Sequence, residues 1–301
     1  MDFVLLTGAN DLYIKTMIDF IEKLPNDFDN SKLIVYNLGL NSDNENILNN
    51  LKNKYNFIFK KFDFDLYPEH VDLKKYNGIF CSYAFKAIVV YNEANINSDK
   101  VILWMDIANR FDNNAINKIL LSTYKYGIYS PFSNIEKTIE SIELNHPKSV
   151  KHYGISEYEH KNYLTSRSSN IVSIDYSSKS GKEILDEWYK ASLNKNIIMP
   201  EGSSRNNHRQ DQTILSILMY LYEKNNNIKF DTLNFGVRYW NKLDNSTVQK
   251  GLFPFKLIDK RNNCQLAIIH CSSLDEAIEC YADRKYISVD EFNKYFSVYP
   301  M

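Results

Sequence analysis

Val101-Ile102-Leu103-Trp104-Met105-Asp106 runs five apolar residues into a carboxylate. A half-buried strand alternates apolar and polar side chains, whereas this run is apolar on both faces. That pattern fits a strand of a parallel sheet covered by helices on both sides. The chain around it agrees. Tyr83 to Ala94 upstream and Ala115 to Tyr124 downstream read as helices. Further back, Phe3-Val4-Leu5-Leu6 precedes Leu12 to Leu24, where Ile14, Met17, Ile18, Ile21 and Leu24 recur at helical spacing. Leu33-Ile34-Val35-Tyr36 then precedes Asn44 to Tyr55, with Ile47, Leu48 and Leu51 in step, and Phe57 to Phe62 reads as another strand. Strand and helix in alternation predict an α/β, Rossmann-like fold with a mixed, mainly parallel sheet flanked by helices.

Such sheets bind ligands beyond the carboxyl ends of their strands. Three strands here end in polar or glycine-containing segments: Thr7-Gly8-Ala9-Asn10-Asp11, Asn37-Leu38-Gly39, and Asp106. The second half is less regular. Asn170 to Asp175, Phe230 to Phe235 and Gln265 to His270 read as strands, and Gly181 to Leu193, Thr213 to Tyr222, Asp275 to Ala282 and Val289 to Phe296 as helices. No repeat and no Pro/Gly/Ser linker divides the chain, so residues 1–301 are expected to form a single domain.

A formal charge of -1 leaves no global field to recruit nucleic acid or an anionic membrane. Cys81, Cys264, Cys271 and Cys280 have no zinc spacing and read as free thiols of a reducing compartment. The start, Met1 to Thr7, lacks a basic n-region, and no stretch approaches the roughly 20 apolar residues of a spanning helix. A soluble, cytoplasmic protein without an integral membrane segment is expected. Thr7-Gly8-Ala9-Asn10 has one glycine, so neither a dinucleotide fingerprint nor a P-loop is present, and no G-x-S-x-G elbow occurs. Dehydrogenase, NTPase and α/β-hydrolase readings fall away.

The densest polar stretch is Pro200 to Gln212, which brings Gly202, Ser203, His208, Arg209, Asp211 and Gln212 to the entrance of the apolar helix Thr213 to Tyr222. Free N–H groups and the dipole at a helix start favour an anionic or polyhydroxyl ligand there. An N-capped core helix with a solvated basic entry gives the same sequence. Asp106 must be paired, hydrated or metal-bound, since an unpaired buried charge is too costly. Arg110 or a capping role offers it a plain structural partner. Lys86, within an apolar helix, is either a snorkelling surface lysine or a diphosphate contact. His270 ends an apolar strand as Asp106 does. It is either a satisfied core histidine or, beside Asp106, half of a mixed O/N site suited to Mn²⁺ or Mg²⁺.

Several stretches carry a resemblance when taken in order: Val35-Tyr36-Asn37-Leu38-Gly39-Leu40 (family form V-Y-D-L-G-L), Tyr67-Pro68-Glu69-His70-Val71, Tyr83-Ala84-Phe85-Lys86, Trp104-Met105-Asp106 with Arg110-Phe111, and Pro200 through Gln212. Together they resemble a family of GT-A-fold glycosyltransferase-like proteins known from nematode and giant-virus sequences. The resemblance implies a nucleotide-sugar donor, a UDP-sugar, and a glycan or protein acceptor. It implies a nucleotide-sugar-binding half of about residues 1–125 and an acceptor-side half of about 126–301. Thr7, Asn10 and Asp11 would lie near the base and ribose, with Lys86 and Arg209 near the diphosphate. Asp106 takes the place of the first carboxylate of the D-x-D metal motif, while Ala108 stands where the second is expected. His270 would complete the Mn²⁺ or Mg²⁺ site. Asp211 is the expected general base, or the orienting group of a retaining transfer, with Glu201 in reserve. His208, Gln212, Gly202 and Ser203 would meet the sugar or acceptor. A binding protein without turnover and a sugar-1-phosphate nucleotidyltransferase are the alternatives. With the A+T-biased composition, a giant-virus source would place the protein in a viral factory or virion.

Overall fold

The computed structural model describes residues 2–73, 82–133, 144–204, 207–239, 253–261, 263–271, 273–285 and 287–300. Strands β1 (Phe3–Ala9), β2 (Leu33–Asn37) and β3 (Ile58–Lys61) are parallel, with α1 (Ile14–Glu22) and α2 (Ser42–Tyr55) as the crossovers. Helix α3 (Phe85–Ile96) returns the chain to β4 (Val101–Met105), which lies parallel to the other edge of β1. After the short β5 (Asn109–Arg110) come α4 (Asn113–Tyr126), β6 (Ile128–Tyr129), α5 (Pro147–His152), α6 (Glu157–Asn162) and β7 (Ile171–Asp175). The main sheet has the order β3-β2-β1-β4-β7-β6, and β7 is antiparallel to both its neighbours.

Helices cover both faces because the central strands are apolar on both faces. Leu6, Ile34, Ile102 and Trp104 face a layer that includes Ile88 of α3, Trp188 of α7 (Lys179–Ser192) and, after the short α8 (Lys195–Ile198), Leu215 of α9 (Gln210–Asn226). Their sequence neighbours Leu5, Leu33, Leu103 and Met105 face Met17 of α1, Leu48 of α2 and Ile116 of α4. Each such buried side chain stabilises the fold by about 1.5–3 kcal/mol. The expected mainly parallel sheet between helical layers is the observed architecture.

The expected strand Phe230 to Phe235 is instead irregular, followed by the short β8 (Arg238–Tyr239). Several of its backbone groups find partners without a ladder. Phe230 N donates to Glu223 Oε1 at 2.9 Å, Arg167 Nη1 donates to Asp231 O at 2.8 Å, and the Tyr129 hydroxyl donates to Leu233 O at 2.6 Å. The C-terminal strand at Gln265 to His270 does form, but outside the main sheet. β9 (Phe253–Asp259), β10 (Cys264–Cys271) and β11 (Phe296–Pro300) make an antiparallel sheet of order β10-β9-β11. Helices α10 (Leu274–Lys285) and α11 (Val289–Tyr295) pack on it around Tyr281 and Phe292.

Candidate functional site

Beyond the carboxyl ends of β1 and β4 lie two adjoining cavities of about 450 and 330 Å³. The larger is mostly apolar, with Leu12, Tyr13, Leu38 and Phe85 in its wall and Asn10 as a polar exception. The C-terminal sheet covers it through Leu257, Leu266 and Ala267, and α10 adds Tyr281 and Lys285. Lys285 Nζ also lies 5.3 Å from the centre of the Tyr13 ring. The smaller cavity is polar, bordered by Ser169, Asn170, Arg209, Gln210, Asp211 and Gln212. Tyr83, Lys86, Asp106 and Leu266 border both.

The charged residues at this junction come from three elements. Asp106 follows β4, and its N–H donates to Asn170 O at 2.9 Å. Lys86 and Asp211 each lie in the first turn of a helix, α3 and α9, and neither helix has a side-chain cap. Lys86 Nζ is 3.1 Å from Asp106 Oδ1, 3.5 Å from Asp211 Oδ2 and 3.0 Å from Ser169 O. The Trp104 indole N–H donates to Asp106 Oδ1 at 2.6 Å, and the Trp188 indole N–H donates to Asp211 O at 3.0 Å. Burial alone would lower the Lys86 ammonium, but Asp106 and Asp211 outweigh it and hold Lys86 above the usual lysine value. Burial pushes the Asp211 carboxyl above the carboxylate range, against the pull of Lys86 and a hydrogen bond from Ser169. The three groups thus form one buried charge cluster between an apolar and a polar chamber.

Backbone strain brackets the same residues. Tyr83 (φ 50°) and Gln210 (φ 40°) hold left-handed conformations at the starts of α3 and α9. Such conformations cost a non-glycine residue of order 1–3 kcal/mol and tend to gather at functional sites.

Of the residues singled out by sequence, the structure brings Asn10, Lys86, Asp106, Arg209, Asp211 and Gln212 to the two cavities. Lys86 is not a snorkelling lysine, being 4% exposed. Asp106 does not pair with Arg110, which bonds Asp19 and the carbonyls of Ile107 and Asn109 instead. Thr7 is fully buried and lines neither cavity. Asp11 accepts from Asn41 N at 2.8 Å and Asn44 Nδ2 at 2.9 Å, which ties the end of β1 to the start of α2.

Glu201, Gly202, Ser203 and His208 also line neither cavity. Their loop closes on itself, with Asn207 accepting from Ser204 N at 2.6 Å and donating to Gly202 O at 3.0 Å. The Glu201 side chain is 95% exposed and pairs with Lys148 at 3.3 Å. His208 is fully buried, with Nε2 2.9 Å from Ile198 O and Nδ1 accepting from His146 N at 3.3 Å, so backbone groups occupy both ring nitrogens. His270 lies in β10 opposite Pro254, and its side chain is outside the described residues. Sequence reasoning gave no role to Tyr83, Trp104, Ser169 or Gln210. Trp104 carried a signal, an indole N–H within a wholly apolar strand that needs an acceptor.

No three His, Cys, Asp or Glu side chains converge among the described residues. Asp106 nevertheless keeps an open face, with 36% of its side chain exposed. A single partly open carboxylate, already met by Lys86 and Trp104, fits a divalent ion only where substrate phosphates and water supply the other ligands.

Fold and site together define an α/β protein with a two-chambered cleft at the carboxyl edge of its sheet. Residues 1–91 match the family described as proteins of unknown function, DUF1647. No curated protein matches the chain in sequence. Solved structures similar to it include the galactosyltransferase LgtC in complex with donor and acceptor sugar analogues. That pair is 14% identical with a TM-score of 0.40 over 72% of this chain and 70% of LgtC. Mouse xyloside xylosyltransferase 1 is 11% identical with a TM-score of 0.39 over 77% of this chain and 85% of the enzyme. The bifunctional glycosyltransferase WbbM is 10% identical with a TM-score of 0.46 over 73% of this chain and 38% of WbbM. Among the described residues, no helix is long and apolar enough to cross a membrane.

Proposed function

We propose that the protein is a glycosyltransferase that moves a sugar from a nucleotide-sugar donor, a UDP-sugar, to a hydroxyl acceptor. The observation that carries the reading is the pair of chambers joined across Lys86 and Asp106. An apolar chamber suits a nucleoside, a polar one suits a sugar, and the charged junction falls where a diphosphate would link them. Asn10 supports the nucleoside assignment, because its Oδ1 is buried without a hydrogen-bond partner at the apolar chamber. The imide N–H of uracil is a donor of the required kind. Arg209 and Gln212 border the sugar chamber.

In the transfer, the bond from the anomeric carbon to the diphosphate breaks as a bond to the acceptor oxygen forms. The acceptor's proton must leave, and the leaving diphosphate must be neutralised. Lys86 supplies fixed positive charge at the junction. Asp211 acts on the reacting sugar, as the base that takes the acceptor's proton in an inverting transfer or as the orienting group in a retaining one. Its raised pKa brings its basicity closer to neutral pH, where a general base works best. A Mn²⁺ or Mg²⁺ ion held by Asp106 would add charge neutralisation at the diphosphate when bound. Buried Trp104 and the Ser169 carbonyl hold Asp106 and Lys86 in place.

The test is thermal shift with UDP, GDP, CDP and ADP, each with and without Mn²⁺, on wild type and Asp106→Ala. A UDP shift that needs Asp106 and is accompanied by UDP release from a UDP-sugar supports the reading. Absence of any nucleotide shift overturns it. UDP-sugar binding without release to any acceptor would favour the non-catalytic alternative that Ala108 suggests.

A further inference from the structure

We propose that the side-chain amide of Gln210 binds the sugar of the donor, donating a hydrogen bond to one of its hydroxyl oxygens. This rests on the donor-site reading above and adds a residue to it. Three independent observations point to Gln210. Its side chain is 2% exposed, and Nε2 is a buried donor with no hydrogen-bond partner. It borders the polar chamber between Arg209 and Asp211. Its backbone is left-handed, with φ 40° at the first residue of α9.

Each feature is unfavourable in the free protein. A buried amide donor left unpaired gives up its hydration for nothing, and a left-handed glutamine adds backbone strain. An apolar side chain at this position would avoid the first, and glycine would avoid both. The chain instead seats a neutral donor at the mouth of α9, beside the carboxylate that acts on the sugar. An amide N–H can donate to a hydroxyl oxygen or to an anion, so its place decides between them. Gln210 borders the polar chamber and not the apolar one, which puts it beside the sugar rather than the nucleoside. The missing partner of Nε2 is thus a ligand atom in the polar chamber.

The probes are UDP, UDP-glucose, UDP-galactose and UDP-N-acetylglucosamine, titrated calorimetrically into wild type, Gln210→Ala and Gln210→Gly. Glycine is the safeguard against misfolding, because φ 40° is open to it without strain. Wild type is expected to bind one of the sugar nucleotides more tightly than UDP. Both variants should lose about tenfold of that preference, the scale of one lost hydrogen bond, while UDP itself binds within about twofold of wild type, since no sugar contact is involved. An unchanged preference in Gln210→Gly overturns the Gln210 assignment and leaves the donor site standing. So does a wild type that binds UDP but gains nothing from any of the three sugars. A wild type that binds none of the four probes overturns the donor-site reading, and this assignment with it.

Discussion

Lys86 and Asp211 are each the second residue of a helix, and the two helices bring Nζ and Oδ2 to 3.5 Å in a buried setting. A helix start favours the carboxylate and disfavours the ammonium. The lysine is therefore held there by the acids it meets rather than by its helix.

Removing the lysine should expose that dependence. Lys86→Met leaves Asp106 and buried Asp211 without their shared cation, and breaking such a pair costs about 3–5 kcal/mol. Lys86→Met with Asp211→Asn removes one charge of each sign and should recover at least half of the loss. Urea denaturation of wild type, Lys86→Met, Asp211→Asn and the double variant measures this. An additive or larger loss in the double variant would mean that the two charges are not coupled.

Asp211→Asn keeps the size of the side chain and removes its basicity. Turnover of a UDP-sugar, read as UDP release, should fall by about a hundredfold or more, the usual weight of a positioned acid–base group. Donor affinity should stay within a few-fold, because the nucleoside chamber lies on the other side of Lys86. Steady-state kinetics beside calorimetric titration separates the two. Equal losses in affinity and turnover would make Asp211 a binding residue only.

The sheet was readable because it rests on short-range pattern. Val101 to Met105 has no polar residue, so both of its faces must be buried, and the helices follow from spacing. The C-terminal sheet was only half readable. Gln265 to His270 looks like a strand, but nothing in its sequence says that it pairs with β9 rather than joining the main sheet. The site divides in the same way. Asp106 and Lys86 stood out as charges in apolar surroundings, which demand partners. Glu201 and His208 drew attention through residue type alone, and the loop turns one to solvent and the other into backbone hydrogen bonds. Gln210 stood in the same stretch with no signal, since neither its left-handed backbone nor its unpaired amide is written in local sequence.

His208 should make the fold sensitive to acid. Burial is the main cause that carries its pKa down to about 4, with His146 and Arg209 adding to the effect. An unfolded histidine titrates near 6.5, so above that pH both states are neutral and this stability is fully present. Between about 6.5 and 4 the unfolded chain takes the proton and the folded one does not. Stability then falls by up to about 1.4 kcal/mol per pH unit, of order 3 kcal/mol over the window. His208→Gln offers an N–H to Ile198 O and an acceptor to His146 N without titrating. Urea denaturation from pH 7.5 to 4 should show a shallower decline for the variant, and parallel curves would rule out His208 as the source.

Gly8 is the next-to-last residue of β1, at the wall of the apolar chamber and opposite Tyr36 in the β1–β2 ladder. A Cβ there would lie 2.8 Å from Leu38 Cδ1 and 3.1 Å from Tyr36 O. The ladder fixes the carbonyl, so Leu38 must move, and Leu38 is itself part of the chamber wall. Gly8→Ala should cost about 1–3 kcal/mol as an overpacking change. It should also weaken UDP binding by about tenfold, the consequence of roughly 1.4 kcal/mol of lost fit. Gly154→Ala is the matched control, since its Cβ would meet nothing within 4 Å although φ is 69°. It should lose about 1–2 kcal/mol through backbone strain alone and leave UDP affinity unchanged. Calorimetric titration and urea denaturation of both variants separate the effects. Unchanged UDP affinity in Gly8→Ala would show that the nucleoside does not touch this end of β1.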